Sequence, residues 1–148
     1  EPWVGTRALW RPENFAALYL TFAEPGAIGL SSIGSLVAPV SREAQAGIAI
    51  KFGPGRFVDA PIAPGLMRRV EIADVHPLRL GERVRVPAII GTLALDGEKE
   101  VALCGDQCVE IELGQDGPRS VNVAAAMAVI ARRGLLSDGP WDAAQEAV

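Results

Sequence analysis

The chain has 148 residues, 49% of them hydrophobic and 22% charged, which is enough for one domain with a buried core and excludes a disordered tail. Its net charge of −4 and aromatic fraction of 5% provide neither a basic surface nor a row of stacking side chains, so nucleic acid is not an expected partner. No apolar run approaches the roughly 18 to 20 residues of a membrane-spanning helix, so no membrane partner is expected either.

The first predicted elements are a strand and a short helix. The segment from Phe15 to Ala23 is strand-like and is followed by a turn at Glu24-Pro25-Gly26. A short helix is predicted near 32–37. Pro39 limits its extent, because proline lacks the amide hydrogen that a helix interior needs.

A sheet region follows, in which apolar and polar residues alternate from about Phe57 to Val123, as is typical of strands with one face in a core. The apolar positions include Val70, Ile72, Val84, Val86, Val109, Ile111 and Leu113. The turns between these runs follow one another too closely for helical crossovers, which favours antiparallel pairing. We therefore predict a mainly β fold of two packed antiparallel sheets, similar to a β-sandwich.

Charge is divided unevenly over this sheet region. Residues 66–86 contain five arginines and three acids, whereas residues 96–116 contain seven acids and a single lysine, Lys99. Cross-strand ion pairing on a solvated face is one interpretation. The other is that the arginine-rich stretch faces an anionic ligand or a partner domain, because arginine suits bidentate contacts to phosphate or carboxylate.

A second helix is predicted near 123–133. Asn122 can cap its amino end, Arg132 and Arg133 suit the negative end of its dipole, and Gly134 is a typical stop. The whole chain, 1–148, is therefore interpreted as a single β-rich domain with its core in about residues 15–134. The tail, 137–148, is either a last helical turn or a frayed end.

The side chains that most often carry catalysis or bind metal are few. The single histidine, His76, precedes Pro77 and is interpreted as a surface or hydrogen-bonded residue, so a serine or metal-dependent hydrolase is not supported. Cys104 and Cys108 provide half a zinc site at most. We expect two inert thiols in a reducing cytoplasm and no structural metal.

Two short segments combine small, polar and acidic residues. Gly29 to Ser35 lies at a strand-to-helix junction, where free amides and small side chains can accept a phosphate, a ribose or a carboxylate, although the same residues also serve as helix caps. Gly91 to Glu98 combines an apolar strand with an Asp-Gly turn. It indicates either a plain hairpin or a pair of carboxylates that binds a cation or takes a proton from a hydroxyl.

Four segments, taken in order, resemble the C-terminal β-rich domain of the NAD kinase-like superfamily, which includes diacylglycerol and sphingosine kinases, and most closely its acetoin-catabolism X branch. They are Leu20-Thr21-Phe22-Ala23-Glu24-Pro25, Ile28-Gly29-Leu30-Ser31-Ser32-Ile33, Ala60-Pro61-Ile62-Ala63-Pro64-Gly65 and Gly91-Thr92-Leu93-Ala94-Leu95-Asp96-Gly97-Glu98-Lys99-Glu100. The similarity spans about residues 15–134, and the last segment is the most specific. The fold it implies is of the NAD kinase C-terminal domain type.

This resemblance also implies a site. Ser31, Gly34 and Ser35 match the serine and glycine positions of a segment that contacts the dinucleotide in NAD kinases, so they are the cofactor-binding candidates, with NAD or ATP as the cofactor. Asp96 and Glu98 match the Asp-Gly-Glu turn of the lipid kinases and are the catalytic candidates. Asp96 would serve as base or orienter of the acceptor hydroxyl, with Glu98 as its neighbour.

The Gly-Gly-Asp-Gly signature that handles ATP in this family belongs to an amino-terminal α/β kinase domain and does not occur in this chain. The resemblance therefore implies the β half of an ATP-dependent phosphotransferase. We expect it to bind a nucleotide or small molecule, to form a homo-oligomer, and to need an α/β domain in cis or in trans for activity. The alternative is a non-catalytic ligand-binding or assembly module that keeps the fold without kinase activity.

Overall fold

The computed structural model describes residues 14–86, 89–96, 99–117 and 121–138. The elements, in chain order, are β1 (Ala17–Leu20), α1 (Leu30–Val37), β2 (Ala46–Ala63), β3 (Leu66–Arg79), β4 (Arg83–Val86), β5 (Ile90–Leu95), β6 (Lys99–Cys104), β7 (Val109–Glu112) and α2 (Val123–Arg133). The contacts between residues divide the chain into two compact units, residues 1–115 and 116–148, which are described separately.

A three-stranded antiparallel sheet in the order β1-β2-β3 is the main structure of the first unit. β2 and β3 form a long hairpin, and Gly65 has the positive φ, 73°, that the tight turn between them requires. The register of this hairpin shifts where Gly53-Pro54-Gly55 bulges out of β2, so that Phe52 and Arg56 both pair with Ile72. The bulge is held by the Gly55 amide, which donates to the Glu71 carboxylate at 3.1 Å.

The core lies between this sheet and α1. Alternate residues of the sheet, together with Ile33 of α1, form one buried apolar cluster. Ile33, Ile48 and Ile50 are at most 1% exposed. A Cβ added at Gly34 would clash with Leu20 Cδ1 and lie 3.0 Å from Ala23 Cβ, so the glycine lets α1 pack against β1 without displacing the Leu20 side chain.

The remaining strands of this unit form two short antiparallel ladders, β4 with β7 and β5 with β6. In the first ladder Arg83 faces Glu112 and Arg85 faces Glu110, with N···O distances of 2.6 and 3.2 Å. The ladder continues one residue beyond β7, because the Leu113 amide donates to the Glu82 carbonyl at 3.2 Å. Cross-strand pairing is therefore the correct interpretation for these two arginines.

In the second unit the described structure is α2 and the turn that follows it. The Asn122 side chain accepts a hydrogen bond from the Ala125 amide, and Gly134 ends the helix in the left-handed conformation, with φ of 59°. Arg132 and Arg133 occupy the last turn. Helix 123–133 is thus confirmed with its predicted cap, and most of the predicted tail lies outside the described residues.

The mainly β class, the antiparallel pairing and both helices are confirmed. The described strands form one three-stranded sheet and two two-stranded sheets, where we predicted two packed sheets. The strand predicted over Phe15 to Ala23 is shorter, and Ala23 instead forms an isolated bridge with Val40. β2 begins at Ala46, before the predicted start of the alternation at about Phe57. Among the described residues no helix is long and apolar enough to cross a membrane.

Candidate functional site

The amino end of α1 brings together two of the four segments that carry the family resemblance. Gly29 has φ of 94°, in the region that favours glycine, and precedes the first helical residue. Its amide donates to the Pro61 carbonyl of β2 at 3.0 Å. The segment from Gly29 to Ser35, called the serine segment below, therefore begins directly beside the Ala60-to-Gly65 segment.

The three serines of this segment differ in what their hydroxyls do. The Ser32 hydroxyl is 1% exposed and donates to the Gly29 carbonyl at 2.6 Å, and the Ser35 hydroxyl donates to the Ser32 carbonyl at 2.9 Å. Ser31 is half-buried, and no other described residue forms a side-chain hydrogen bond with it. Gly29, at the cap position, has no side chain, so the first amides of α1 receive no side-chain cap.

The three cofactor-binding candidates therefore have different environments in the structure. Ser31 lies in the first turn of α1 with an uncommitted hydroxyl beside uncapped amides. Gly34 is buried and faces Leu20 and Ala23 of the core, so its lack of a side chain serves helix-to-strand packing. Ser35 already bonds to the backbone of its own helix. Only Ser31 combines position, partial exposure and a free donor.

The catalytic candidates lie on a different ladder. Asp96 follows β5 at the tip of the β5–β6 hairpin, is exposed, and has a positive φ of 50° that suits a tight turn. Gly97 and Glu98 lie outside the described residues, so the structure does not describe whether the carboxylates of Asp96 and Glu98 lie close together. Within the described part of the chain, no hydrogen bond or ion pair joins Asp96 to the serine segment.

His76 belongs to a surface hydrogen-bond group. Its Nε2 lies 2.6 Å from Glu82 Oε1, and Glu82 Oε2 accepts from the Arg79 amide at 2.8 Å. The bond to His76, followed by the bond from Arg79, lowers the pKa of Glu82 below its ordinary value. The interpretation of His76 as an exposed, hydrogen-bonded residue is therefore confirmed.

Some arginines of the sheet region form ion pairs and others do not. Arg69 makes two hydrogen bonds to Asp59, at 3.0 and 2.9 Å, which lower the pKa of that carboxyl. The same guanidinium lies 5.8 Å from the centre of the Phe57 ring. Arg68 and Arg79, by contrast, form no ion pair with the other described residues. They are the arginines left for an anionic ligand.

Sequence reasoning missed the surroundings of the two cysteines. Cys104 and Cys108 are both exposed and free of any disulfide. Cys108 lies two residues before Glu110, the residue opposite Arg85, and interacts electrostatically with Arg85. In the described ranges no group of three histidine, cysteine or acidic side chains could hold a metal ion.

Comparison with known proteins identifies the family. A family model described as the acetoin catabolism protein X C-terminal domain matches residues 1–116. A curated protein from Cupriavidus necator, named acetoin catabolism protein X, is 44% identical over 148 residues, a match that covers 97% of this chain and 41% of that protein. No solved structure matches. The chain therefore spans about two fifths of its relative's length, and it belongs to the acetoin catabolism protein X C-terminal domain family.

Proposed function

We propose that this chain is the nucleotide- or substrate-binding half of an ATP-NAD kinase-like protein and also provides oligomer contacts. In this proposal it binds NAD or ATP at the amino end of α1 and does not transfer phosphate by itself. The name of the Cupriavidus necator relative supplies the context, acetoin catabolism, in which we propose that the longer protein acts.

The observation that carries the proposal is the junction of α1 with β2. The bond from the Gly29 amide to the Pro61 carbonyl holds the helix start against the sheet, and the uncapped amides and Ser31 hydroxyl lie there together. Such amides carry the positive end of the helix dipole and attract an anion. A phosphate of a nucleotide supplies that charge and also accepts from the hydroxyl.

In the same proposal Asp96 and Glu98 act on the acceptor hydroxyl once an α/β domain supplies ATP. Asp96 is exposed at a hairpin tip, where a second domain can approach it. The chain covers 41% of its relative, which leaves room for such a domain in the longer protein. The Asp96→Asn variant of the longer protein should therefore lose phosphoryl transfer while the isolated chain keeps its nucleotide affinity.

Calorimetric titration of the chain with NAD, NADP and ATP tests the binding site. Ser31→Asp places a negative charge in the first turn of α1, which favours the helix but repels a phosphate. Ser41→Asp is the matched control, because Ser41 is exposed and the new carboxylate can still accept from the Ala44 amide. We expect saturable binding that Ser31→Asp abolishes and Ser41→Asp preserves.

Failure to bind any of the three nucleotides would instead favour the second candidate, a non-catalytic assembly module. The observation behind it is the number of large apolar side chains at the surface, among them Phe57 at 63%, Met67 at 57% and Ile90 at 87% exposure. Light scattering after size exclusion measures the assembly directly. A monomer at all concentrations would contradict this candidate.

A further inference from the structure

The two cysteines lie at the two ends of one short connection. Cys104 is the last residue of β6, Cys108 directly precedes β7, and the chain bends at Gly105 and Asp106 between them. Gly105 has a positive φ of 86°, and the Cys104 amide donates to the Gln107 side chain at 3.3 Å. The connection is therefore bent between the two cysteines, and both thiols are exposed.

A cation lies beside one of these thiols. Arg85 and Glu110 are directly opposite in the β4–β7 ladder. Cys108 directly precedes β7, two residues before Glu110, and interacts electrostatically with Arg85. The hydrogen bond to Glu110 raises the pKa of Arg85, and the charge of Cys108 raises it further. A thiolate is the form of cysteine that reacts with oxidants, and a neighbouring cation stabilises such an anion.

We propose that Cys104 and Cys108 are a peroxide-sensitive thiol pair that closes an intramolecular disulfide. The Cys108 thiolate attacks one oxygen of hydrogen peroxide, the O–O bond breaks, and the departing hydroxide takes a proton to become water. The Cys108 sulfenic acid that results is then attacked by the Cys104 thiolate, which forms the S–S bond and releases a second hydroxide as water. Two thiols are oxidised, one peroxide is reduced, and the end of β6 becomes tied to the start of β7.

Mass spectrometry of the peroxide-treated chain tests the bond itself. We expect a monomer lighter by two hydrogen atoms. Cleavage before Asp106 separates the cysteines, so the disulfide will appear as two peptides joined under non-reducing conditions. Disulfide-linked dimers, or two independently oxidised cysteines without a cross-link, would overturn the proposal.

The roles of the individual residues are tested with a sulfenic-acid trap such as dimedone. Cys104→Ser should accumulate the trapped adduct at Cys108, and Cys108→Ser should react more slowly at Cys104. Arg85→Met should slow the oxidation of Cys108 by about 3- to 10-fold, because the thiolate loses its cation. Arg83→Met is the matched control, since Arg83 makes the same kind of exposed ion pair, with Glu112, one cross-strand pair farther from Cys108 on the same face.

The Arg83→Met variant should keep the rate of the unmodified chain. Circular dichroism of both arginine variants will show whether each retains the β-rich fold. Equal oxidation rates in two folded arginine variants would contradict the role of Arg85. A reaction in which Cys104 forms the sulfenic acid first would contradict the assignment of Cys108 as the attacked thiol.

Discussion

The three-stranded sheet with α1 and the two short ladders are built from the same alternation of apolar and polar residues, but they bury very different amounts of it. In the sheet, Ile48 and Ile50 are at most 1% exposed, and Ile33 of α1 covers them. In the β5–β6 hairpin, Leu103 is buried at 7% exposure whereas Ile90 is 87% exposed. Burial therefore forms one continuous cluster in the sheet and α1, whereas in and beside the ladders it is confined to single positions, Val86, Leu103 and Leu113.

The physical reason is that a two-stranded ladder supplies no second layer to cover its own apolar face. Such a ladder is therefore only marginally stable alone. The sheet gains its stability from apolar burial, whereas the β4–β7 ladder adds exposed cross-strand ion pairs, which contribute little. The ladders should therefore open locally before the sheet unfolds. The following predictions test this difference, from the largest expected effect to the smallest.

Ile48→Ala should lower the free energy of unfolding by about 2–5 kcal/mol, because it removes buried methyl groups and leaves a cavity between the sheet and α1. The matched control is Ile90→Ala, at an isoleucine that is 87% exposed, which should change stability by less than about 0.5 kcal/mol. Urea denaturation followed by circular dichroism measures both. Equal losses in the two variants would show that the ladder is covered in solution.

Leu103→Ala should cost about 2 kcal/mol, the lower end for a buried leucine, because Leu103 lies outside the main buried cluster. The effect should be local. Hydrogen exchange should become faster in β5 and β6 and stay unchanged in β2 and β3. Faster exchange throughout the main sheet would mean that the hairpin and the sheet unfold as one unit.

Gly34→Ala should destabilise the chain by about 1–3 kcal/mol through overpacking. The higher helix propensity of alanine should offset roughly 0.5–1 kcal/mol of this loss. The added Cβ would lie 2.4 Å from Leu20 Cδ1, which must move. Gly91→Ala is the control in β5, where the nearest atom, Ile89 Cδ1, is 4.0 Å from the added Cβ. A Gly34→Ala variant as stable as Gly91→Ala would contradict the close packing of α1 on β1.

Glu82→Gln should have the smallest effect, and one that depends on pH. Bonds from His76 and Arg79 lower the pKa of Glu82 in the folded chain, so the carboxylate stabilises the fold above its ordinary value of 4.5. This contribution is lost as the pH falls through the lowered folded pKa. The difference in melting temperature between the two proteins should therefore disappear in acid. Glu100→Gln is the control, because Glu100 is exposed and forms no ion pair with the other described residues.

Much of the fold could be predicted from the sequence, because the signals were local. The alternation around Val84 and Ile111 predicted two strands, and the opposite charges of the two regions made cross-strand ion pairing one of two interpretations. The first half of β2 was missed, because Gly53-Pro54-Gly55 interrupts the pattern and resembles a loop. In the structure these residues are a bulge within one long strand, and the pairing with β3 on both sides of the bulge maintains it.

The site was predicted less completely. The sequence located the segment from Gly29 to Ser35, but Ser31 and Ser35 appeared equivalent. Their difference arises from hydrogen bonds made after folding, since the Ser35 hydroxyl is bound to the helix backbone and the Ser31 hydroxyl is not bound by a described residue. The sequence likewise did not bring Arg85 and Cys108 together, because their interaction depends on the pairing of two strands far apart in the chain.

The sequence by itself determined the β-rich class, the antiparallel connections and the two helices, because each depends on patterns, caps and turns within a few residues. Only the tertiary structure decided which strands share a sheet, that Gly34 is a packing residue, and that Gly29 joins Pro61 at the start of α1. These features require segments that are distant in the chain to meet. Their free energy comes from burial and hydrogen bonds between such segments, which no local window of the sequence contains.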